Sequence, residues 1–355
     1  MTNTLKYMFI IQGEGRGHLT QAIRLKQILE GEGHTLDSVF FGVNPQRNFP
    51  GYLFDEFSKD ICFFRSPNFV FKKNRKGIRL SATLLHNFLR FPVFIKSILK
   101  IKDAINQQKP DVVVNFYDML GGMAYFLSNR KPEFYAISHH FLFEHPDFPV
   151  PDDFFLQKRL MIIHNRFAAL KAKKRIALSF KLQNSFRNTR ILPPIIRSDI
   201  INAKPVNEGF ILVYLLNEGL AADLWNIFRN NPDINFHLFY KSEKLKLTFP
   251  DNVKAKELNF QTFADSLVRC RGIICSAGFE TVCEAAYLGK PVFLIPSENH
   301  YEQHGNLNDA TGAGIAKHYE DFDPNISPKK NEEFRSWCNM GISDLSDLFI
   351  SEHNS

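Results

Sequence analysis

The chain has 355 residues, 44% hydrophobic and 23% charged, which describes globular material too long for one ordinary core and points to about two domains. No run approaches the roughly 20 apolar residues of a membrane span, and the N-terminus lacks a signal-peptide layout. The five cysteines form no C-x-x-C pair, so we read an intracellular, cytoplasmic, reduced protein without a structural zinc site.

The net charge of +7 is unevenly spread: residues 1–200 carry 30 Lys and Arg against 16 Asp and Glu, whereas residues 201–355 carry 14 against 21. An anionic membrane face or an acidic substrate suits the basic half better than nucleic acid, for which no RNP box or paired zinc knuckle is present.

An apolar run from Tyr7 to Ile11 opens the chain as a strand. The turn "GEGRGH" follows, then a helical pattern through Leu19, Ile23, Ile28 and Leu29 that Gly31 and Gly33 stop. Gly13, Gly15 and Gly17 run as G-x-G-x-G, one position short of the G-x-G-x-x-G dinucleotide loop, and "FFGVN" offers no acid for a ribose at the next strand end. A dehydrogenase is therefore disfavoured.

"DSVFFGV", "KPDVVVNFYD" and "PEFYAISHH" read as further strands alternating with helical segments, the pattern of an α/β domain with a parallel sheet. Between them, "FKKNRKGIRLSATLLHNFLRFPVFIKSILKIK" holds nine Lys and Arg and no acid. It reads either as a peripheral membrane surface or as a core-packing helix pair with basic outer faces, divided at Pro92. His139, His140, Glu144 and His145 crowd "SHHFLFEHPDF", but without metal-protease spacing, and we read acceptor contact or loop chemistry there rather than a metal.

The proline-rich stretch "ILPPIIRSDIINAKPVNEG" breaks the rhythm and reads as an interdomain linker. A second α/β unit follows, with strands "FILVYLL", "INFHLFYK", "VKAKEL", "RGIICSA" and "KPVFLIP". We divide the chain into residues 1–198, residues 205–327 and a helical tail, 328–355, packing back on the first unit.

The most informative stretch is "GIICSAGFETVCEAAYLGKPVFLIPSENHYEQHGNLNDATGAGIA". Its strand ends in the small-residue turn Ser276-Ala277-Gly278. A helix then begins whose free amides suit a phosphate, with Glu284 one turn inside it. Ser276 to Gly278, Thr281, Glu284, Gly289-Lys290-Pro291, Pro296, Gln303 and Asn306 keep the order seen in GT-B glycosyltransferases. The stretch resembles the branch containing the lipid II N-acetylglucosaminyltransferase and the UDP-glucuronosyltransferase-like enzymes.

That resemblance implies two Rossmann-like α/β domains facing across a cleft and an inverting, metal-independent transfer of a hexosyl or N-acetylhexosaminyl group from a nucleotide sugar, UDP-linked. The acceptor would be a lipid-linked, glycan or small-molecule hydroxyl, and no cofactor would be needed beyond the donor. By resemblance, Ser276, Gly278, Phe279, Glu280 and Thr281 belong to the donor site, where the amides around Gly278 to Glu280 would hold the diphosphate, Glu284 the ribose and Gln303 the sugar hydroxyls, and Phe263 sits where backbone contacts the base. The asparagine of "NEG" at 217 stands in place of a donor-side glycine turn but departs from the family pattern.

The family also places a G-x-G-H turn at the first strand end, matched by Gly15, Gly17 and His18, with Glu14 and Arg16 on the acceptor side. His18, at a helix N-terminus, is the candidate general base, since the dipole favours the neutral ring. Asp118 is its candidate orienting acid, by analogy with the plant-type branch, and it also stands where it would cap the helix beginning near Leu120. Two alternatives keep the same frame: a nucleotide-sugar 2-epimerase and a non-catalytic nucleotide-sugar-binding protein.

Overall fold

The computed structural model describes residues 4–13, 16–43, 56–57, 61–72, 76–215, 218–240 and 248–349. Strands β1 (Lys6–Ile11), β2 (Thr35–Val43), β3 (Ile61–Arg65), β4 (Val112–Phe116), β5 (Glu133–Ile137), β6 (Lys174–Leu178) and β7 (Thr189–Leu192) form one sheet, ordered β3-β2-β1-β4-β5-β6-β7. Strands β8 (Ile211–Leu215), β9 (Phe236–Tyr240), β10 (Val253–Glu257), β11 (Gly272–Ser276), β12 (Val292–Ile295) and β13 (Lys317–His318) form a second, ordered β10-β9-β8-β11-β12-β13.

Neighbouring strands in both sheets are parallel. Parallel strands are covered on both faces, which is why "VVVNF" and "GIICS" are buried at every position. In the first sheet Met8, Ile10 and Val113 pack against Ile98, Ile101 and Ile105 of the helix Phe91–Gln108. On the opposite face Phe9, Ile11 and Val114 join Leu19, Ala22 and Leu25 of the helix Gly17–Gly31. That second cluster runs on without a break into the other sheet, through Phe279 to Cys275 and Leu294. The two Rossmann-like units are thus pressed together through a shared apolar core.

Both strand orders reverse beside the first strand of the unit, where β1 lies between β2 and β4 and β8 between β9 and β11. Ligands of open parallel sheets bind at the carboxyl ends of strands at such reversals. The turns after β1, β4 and β11 therefore share one crevice region, and these are the turns carrying His18, Asp118 and Gly278.

The proline-rich stretch differs from a free linker. Ile191 and Leu192 belong to β7, residues Ser198–Ile201 form a short helix, and the amides of Val206 and Glu208 bond the carbonyls of Val268 and Arg269 at 3.1 and 3.0 Å. The helix Glu332–Phe349 returns to the first sheet. There Tyr7 donates from its hydroxyl to the Phe349 carbonyl at 2.6 Å, and Trp337 donates from Nε1 to the Ser179 carbonyl at 3.0 Å.

Candidate functional site

Glu14, Gly15 and Asn217 lie outside the described residues. The first helix begins at Gly17, with Arg16 at its N-cap and no side chain capping it. A Cβ on Gly17 would collide with the carboxylate of Glu280, which reaches across from the second unit. The glycine therefore leaves the hollow that the Glu280 carboxylate of the second unit occupies. Gln21, one turn further along, donates from Nε2 to Glu280 Oε1.

His18 is 8% exposed, and its ring centre lies 5.6 Å from Tyr117 and 5.7 Å from His140. Burial, followed by the neighbouring His140, lowers its pKa to about 3. The ring is thus neutral at physiological pH.

The hydrogen bonds of Asp118 go to groups other than His18. Its Oδ1 accepts from the amides of Leu120 (2.8 Å) and Gly121 (3.2 Å), capping the helix Met119–Leu127, and its Oδ2 accepts from Ser66 Oγ at 2.6 Å. Burial raises its pKa to about 6 against those hydrogen bonds. Asn115 fixes the corner by donating from Nδ2 to the carbonyls of Asp118 and Ala168. Local chemistry decides here: an aspartate before a helix is satisfied by the first free amides.

Tyr117, His164 and Asn165, which sequence reasoning did not single out, join His140 on the first-unit side. Tyr117 holds a left-handed backbone, φ 64°, which is costly for an aromatic residue and tends to persist at functional sites. It stacks on His140 at 4.1 Å, donates to Asn165 Oδ1 at 2.7 Å, and its carbonyl accepts from His164 Nε2 at 3.1 Å. His140 in turn donates from Nε2 to Glu302 Oε2 across the interface at 3.1 Å. Burial pushes the Glu302 carboxyl up, but His140, His300 and His139 outweigh it and hold the group well below the ordinary range.

His139 donates from Nδ1 to the Leu178 carbonyl (2.7 Å), meets Asn306 Oδ1 through Nε2 (3.0 Å) and stacks on Phe279 at 4.0 Å. Asn306 donates to the Ala277 carbonyl at 3.0 Å, so one hydrogen-bonded path runs from β6 to the small-residue turn. Glu144 pairs with Arg175 at 2.8 Å and accepts from Asn165 Nδ2 at 2.9 Å, which ties it to the Tyr117 side of this cluster, whereas His145 lies apart and donates to the Asn184 carbonyl at 3.1 Å.

On the second unit, Ser276-Ala277-Gly278 leads into the helix Phe279–Tyr287 without a side chain at Gly278 to cap it. Gly278 has an ordinary φ of −88°, and an added Cβ would meet nothing nearer than the Ser276 carbonyl at 4.0 Å. Neither torsion nor protein packing demands glycine there, and space is left over the turn.

Glu280 is half-buried, and loss of solvent around its carboxyl raises its pKa to about 7 while the Gln21 hydrogen bond opposes the rise. Thr281 is half-buried. Glu284 is 6% exposed and ion-paired with Arg197 Nε at 2.8 Å. The carboxylate expected to hold ribose is therefore engaged by the segment joining the two sheets. Gln303 is buried and accepts from the Ser297 amide at 2.7 Å, bracing the loop after β12. The Phe263 side chain is core, packed on Tyr214 at 4.8 Å and Phe239 at 5.8 Å.

The tight contacts between the units are polar as well as apolar. Lys72 pairs with Glu298 at 2.9 Å and Lys76 with Asp223 at 2.5 Å, while Gln157 donates to the Asn299 carbonyl at 3.0 Å. Among the described residues, no group of three or more His, Cys, Asp or Glu is arranged to hold a metal ion.

Comparison with known proteins agrees with this architecture. An Alkaliphilus oremlandii UDP-N-acetylglucosamine–N-acetylmuramyl-(pentapeptide) pyrophosphoryl-undecaprenol N-acetylglucosamine transferase is 25% identical over 311 residues, 76% of this chain and 80% of that protein. The fold is similar to that of Acinetobacter baumannii MurG, with a TM-score of 0.55 at 17% identity over 99% and 100% of the two chains. It is similar also to a Medicago truncatula protein solved with UDP-glucose, with a TM-score of 0.61 at 12% identity over 97% and 94%. The sequence profile of glycosyl transferase family 1 matches residues 5–327. With two facing Rossmann-like units and that match, the chain belongs to glycosyl transferase family 1, of the GT-B fold, whose members act on nucleotide sugars.

Proposed function

We propose that this protein is an inverting glycosyltransferase that moves a sugar from a UDP-sugar to a hydroxyl of a lipid-linked acceptor at the inner face of a membrane. The observation that carries the reading is the meeting of two helix N-termini: the uncapped start of Phe279–Tyr287, and the start of Gly17–Gly31 with His18. The first offers amides and a positive dipole end to a diphosphate. The second offers a neutral imidazole to an acceptor hydroxyl.

In this mechanism His18 takes the acceptor proton as the hydroxyl oxygen attacks the anomeric carbon. The bond from that carbon to the diphosphate oxygen breaks on the opposite side, and the nucleoside diphosphate leaves against the helix amides. General-base assistance of this type contributes roughly 10²–10⁴-fold, and charge stabilisation at the leaving group adds to it. Residues 1–198 would bind the acceptor and residues 205–327 the donor.

The acceptor class and the location rest on one surface. Helices Leu80–Leu89 and Phe91–Gln108 expose Leu85, Phe88, Leu89 and Phe91 at 60, 77, 70 and 55%, and Arg79, Lys96 and Lys100 are exposed beside them. Apolar side chains ringed by basic ones suit an interface with anionic lipid. No helix among the described residues is long and apolar enough to cross a membrane. Lys72 and Lys76 serve cross-unit ion pairs, and Lys73 and Arg75 lie outside the described residues. Charge reversal for a vesicle test therefore belongs at Arg79, Lys96 and Lys100. Binding to anionic vesicles that falls with salt and with these reversals is expected, and equal recovery on neutral vesicles would refute the docking surface.

The donor reading is tested by thermal shift and hydrolysis with a panel of UDP-, GDP- and dTDP-sugars. Stabilisation by a UDP-sugar is expected, lost in Glu284→Ala and Gln303→Ala. Stabilisation by NAD alone, or full transfer in both variants, would overturn it. The Arg197–Glu284 pair favours a second reading, a non-catalytic binder whose ribose carboxylate is engaged elsewhere. Nucleotide-sugar binding without turnover in any acceptor mixture would select that reading.

A further inference from the structure

His18 needs something to hold its ring in one tautomer if it is to work as a base, and Asp118 is fully spent on Ser66 and two helix amides. The helix that carries His18 presents Gln21 one turn later. Both side chains are buried, at 8 and 1% exposure. His18 Nδ1 and Gln21 Oε1 are both among the buried side-chain polar atoms that lack a hydrogen-bond partner, and they belong to side chains three residues apart on one helix face. The other end of the Gln21 amide is occupied by Glu280 of the second unit, whose carboxylate fills the hollow that only a glycine at position 17 leaves open.

We propose that Gln21 relays Glu280 to His18, so that the base is oriented by an acid from the donor-binding unit and is assembled only when the two units close. The proton stays on Nδ1, donated to Gln21 Oε1. Gln21 Nε2 donates to the Glu280 carboxylate, and Nε2 of His18 is left bare toward the acceptor. A side-chain amide serves here because it has a donor at one end and an acceptor at the other, so it passes on orientation without moving a proton. Burial supports the scheme by keeping His18 neutral, with one proton to place; Glu302 and then Gln21 favour protonation of the ring, and of the two it is Gln21 that acts through a hydrogen bond. Glu302 is tied to His140 instead. In this arrangement Glu280 and Gln21 are positioning residues, and the inference rests on the reading of His18 as the base.

The test is ring-nitrogen NMR on the full chain labelled with ¹⁵N-histidine, with the His18 signal assigned by His18→Gln. The Nδ1–H tautomer is expected in the unaltered protein. Redistribution toward Nε2–H is expected in Gln21→Met and Glu280→Leu, with partial recovery in Glu280→Asp. The remaining histidine signals report whether each variant is folded. An Nε2–H tautomer in the unaltered protein, or the same tautomer in both variants, would overturn the relay. In turnover of a UDP-sugar, Gln21→Met should lower kcat by roughly 10–100-fold, within the range of general-base assistance, with KM unchanged. Full turnover by His18→Gln would instead sink the base assignment and leave the tautomer result standing.

Discussion

Replacing Gly17 by alanine isolates the contact between the two units at one atom. The new Cβ would overlap the Glu280 carboxylate, the flexible end of a side chain, so that carboxylate must leave its hollow and release Gln21. Loss of a hydrogen bond to a charged group costs about 1.5–3 kcal/mol. Alanine in place of glycine within a helix returns about 0.5–1 kcal/mol. A net loss of about 1–2 kcal/mol is expected.

The sign should reverse once the obstacle is gone. In a Glu280→Ala background Gly17→Ala meets no carboxylate, and the helix gain alone remains, a stabilisation of about 0.5–1 kcal/mol. Urea unfolding followed by Trp337 fluorescence reads this double-mutant cycle, since Trp337 is buried where the last helix meets the first sheet. Two contacting residues should show a coupling well outside the few tenths of a kcal/mol seen for independent sites. The same cost for Gly17→Ala in both backgrounds would refute the seating of Glu280 against Gly17.

Glu280 is pushed up to about 7 by burial, so it is protonated below that pH and ionised above it. If the relay needs its carboxylate, kcat should rise with pH through about 7 to a plateau, and Glu280→Gln should flatten that limb. His18, His139 and His164 are lowered by burial to about 3, 4 and 4. At these three sites the unfolded chain therefore binds more protons than the folded one between about pH 6.5 and 4. Their contribution to stability is full above about 6.5 and is lost as pH falls, by up to ~1.4 kcal/mol per histidine per pH unit, while the raised carboxyls of Asp118, Glu280, Glu284 and Asp309 act in the opposite sense; His164→Gln should therefore raise Tm at pH 5 relative to pH 7, compared with the unaltered protein. Arg197→Met leaves the buried Glu284 carboxylate alone and should cost about 3–5 kcal/mol, most of it recovered in Arg197→Met/Glu284→Leu. Equal urea midpoints for the single and double variants would show that the pair carries no such charge penalty.

The sequence shows what is local. Runs of β-branched residues mark β4, β8 and β11, and the small-residue turn announces the helix starting at Phe279, because these signals lie within a few neighbours of one another. β7 is hidden by the two prolines that follow it, and β6, "KRIAL", is too short and basic at its start to stand out. Asp118 illustrates the limit well: its spacing from His18 suggests a pair, but the nearest free amides claim it first. Partners that decide the site, such as Gln21 with Glu280 and Arg197 with Glu284, are far apart in the chain and leave no periodic trace. Tyr117 is equally silent, since nothing in its neighbours' types requires a left-handed aromatic.

The chain crosses between its two sheets twice, once from β7 to β8 and again when the helix Glu332–Phe349 returns to Tyr7, Tyr135 and Ser179. A body tethered by a single strand can spin on its tether, whereas one held at two places can only swing about the line that joins them. Opening of the crevice is thereby reduced to something near a one-axis movement. A protease nick at either crossing would sever the polypeptide and still leave the halves docked.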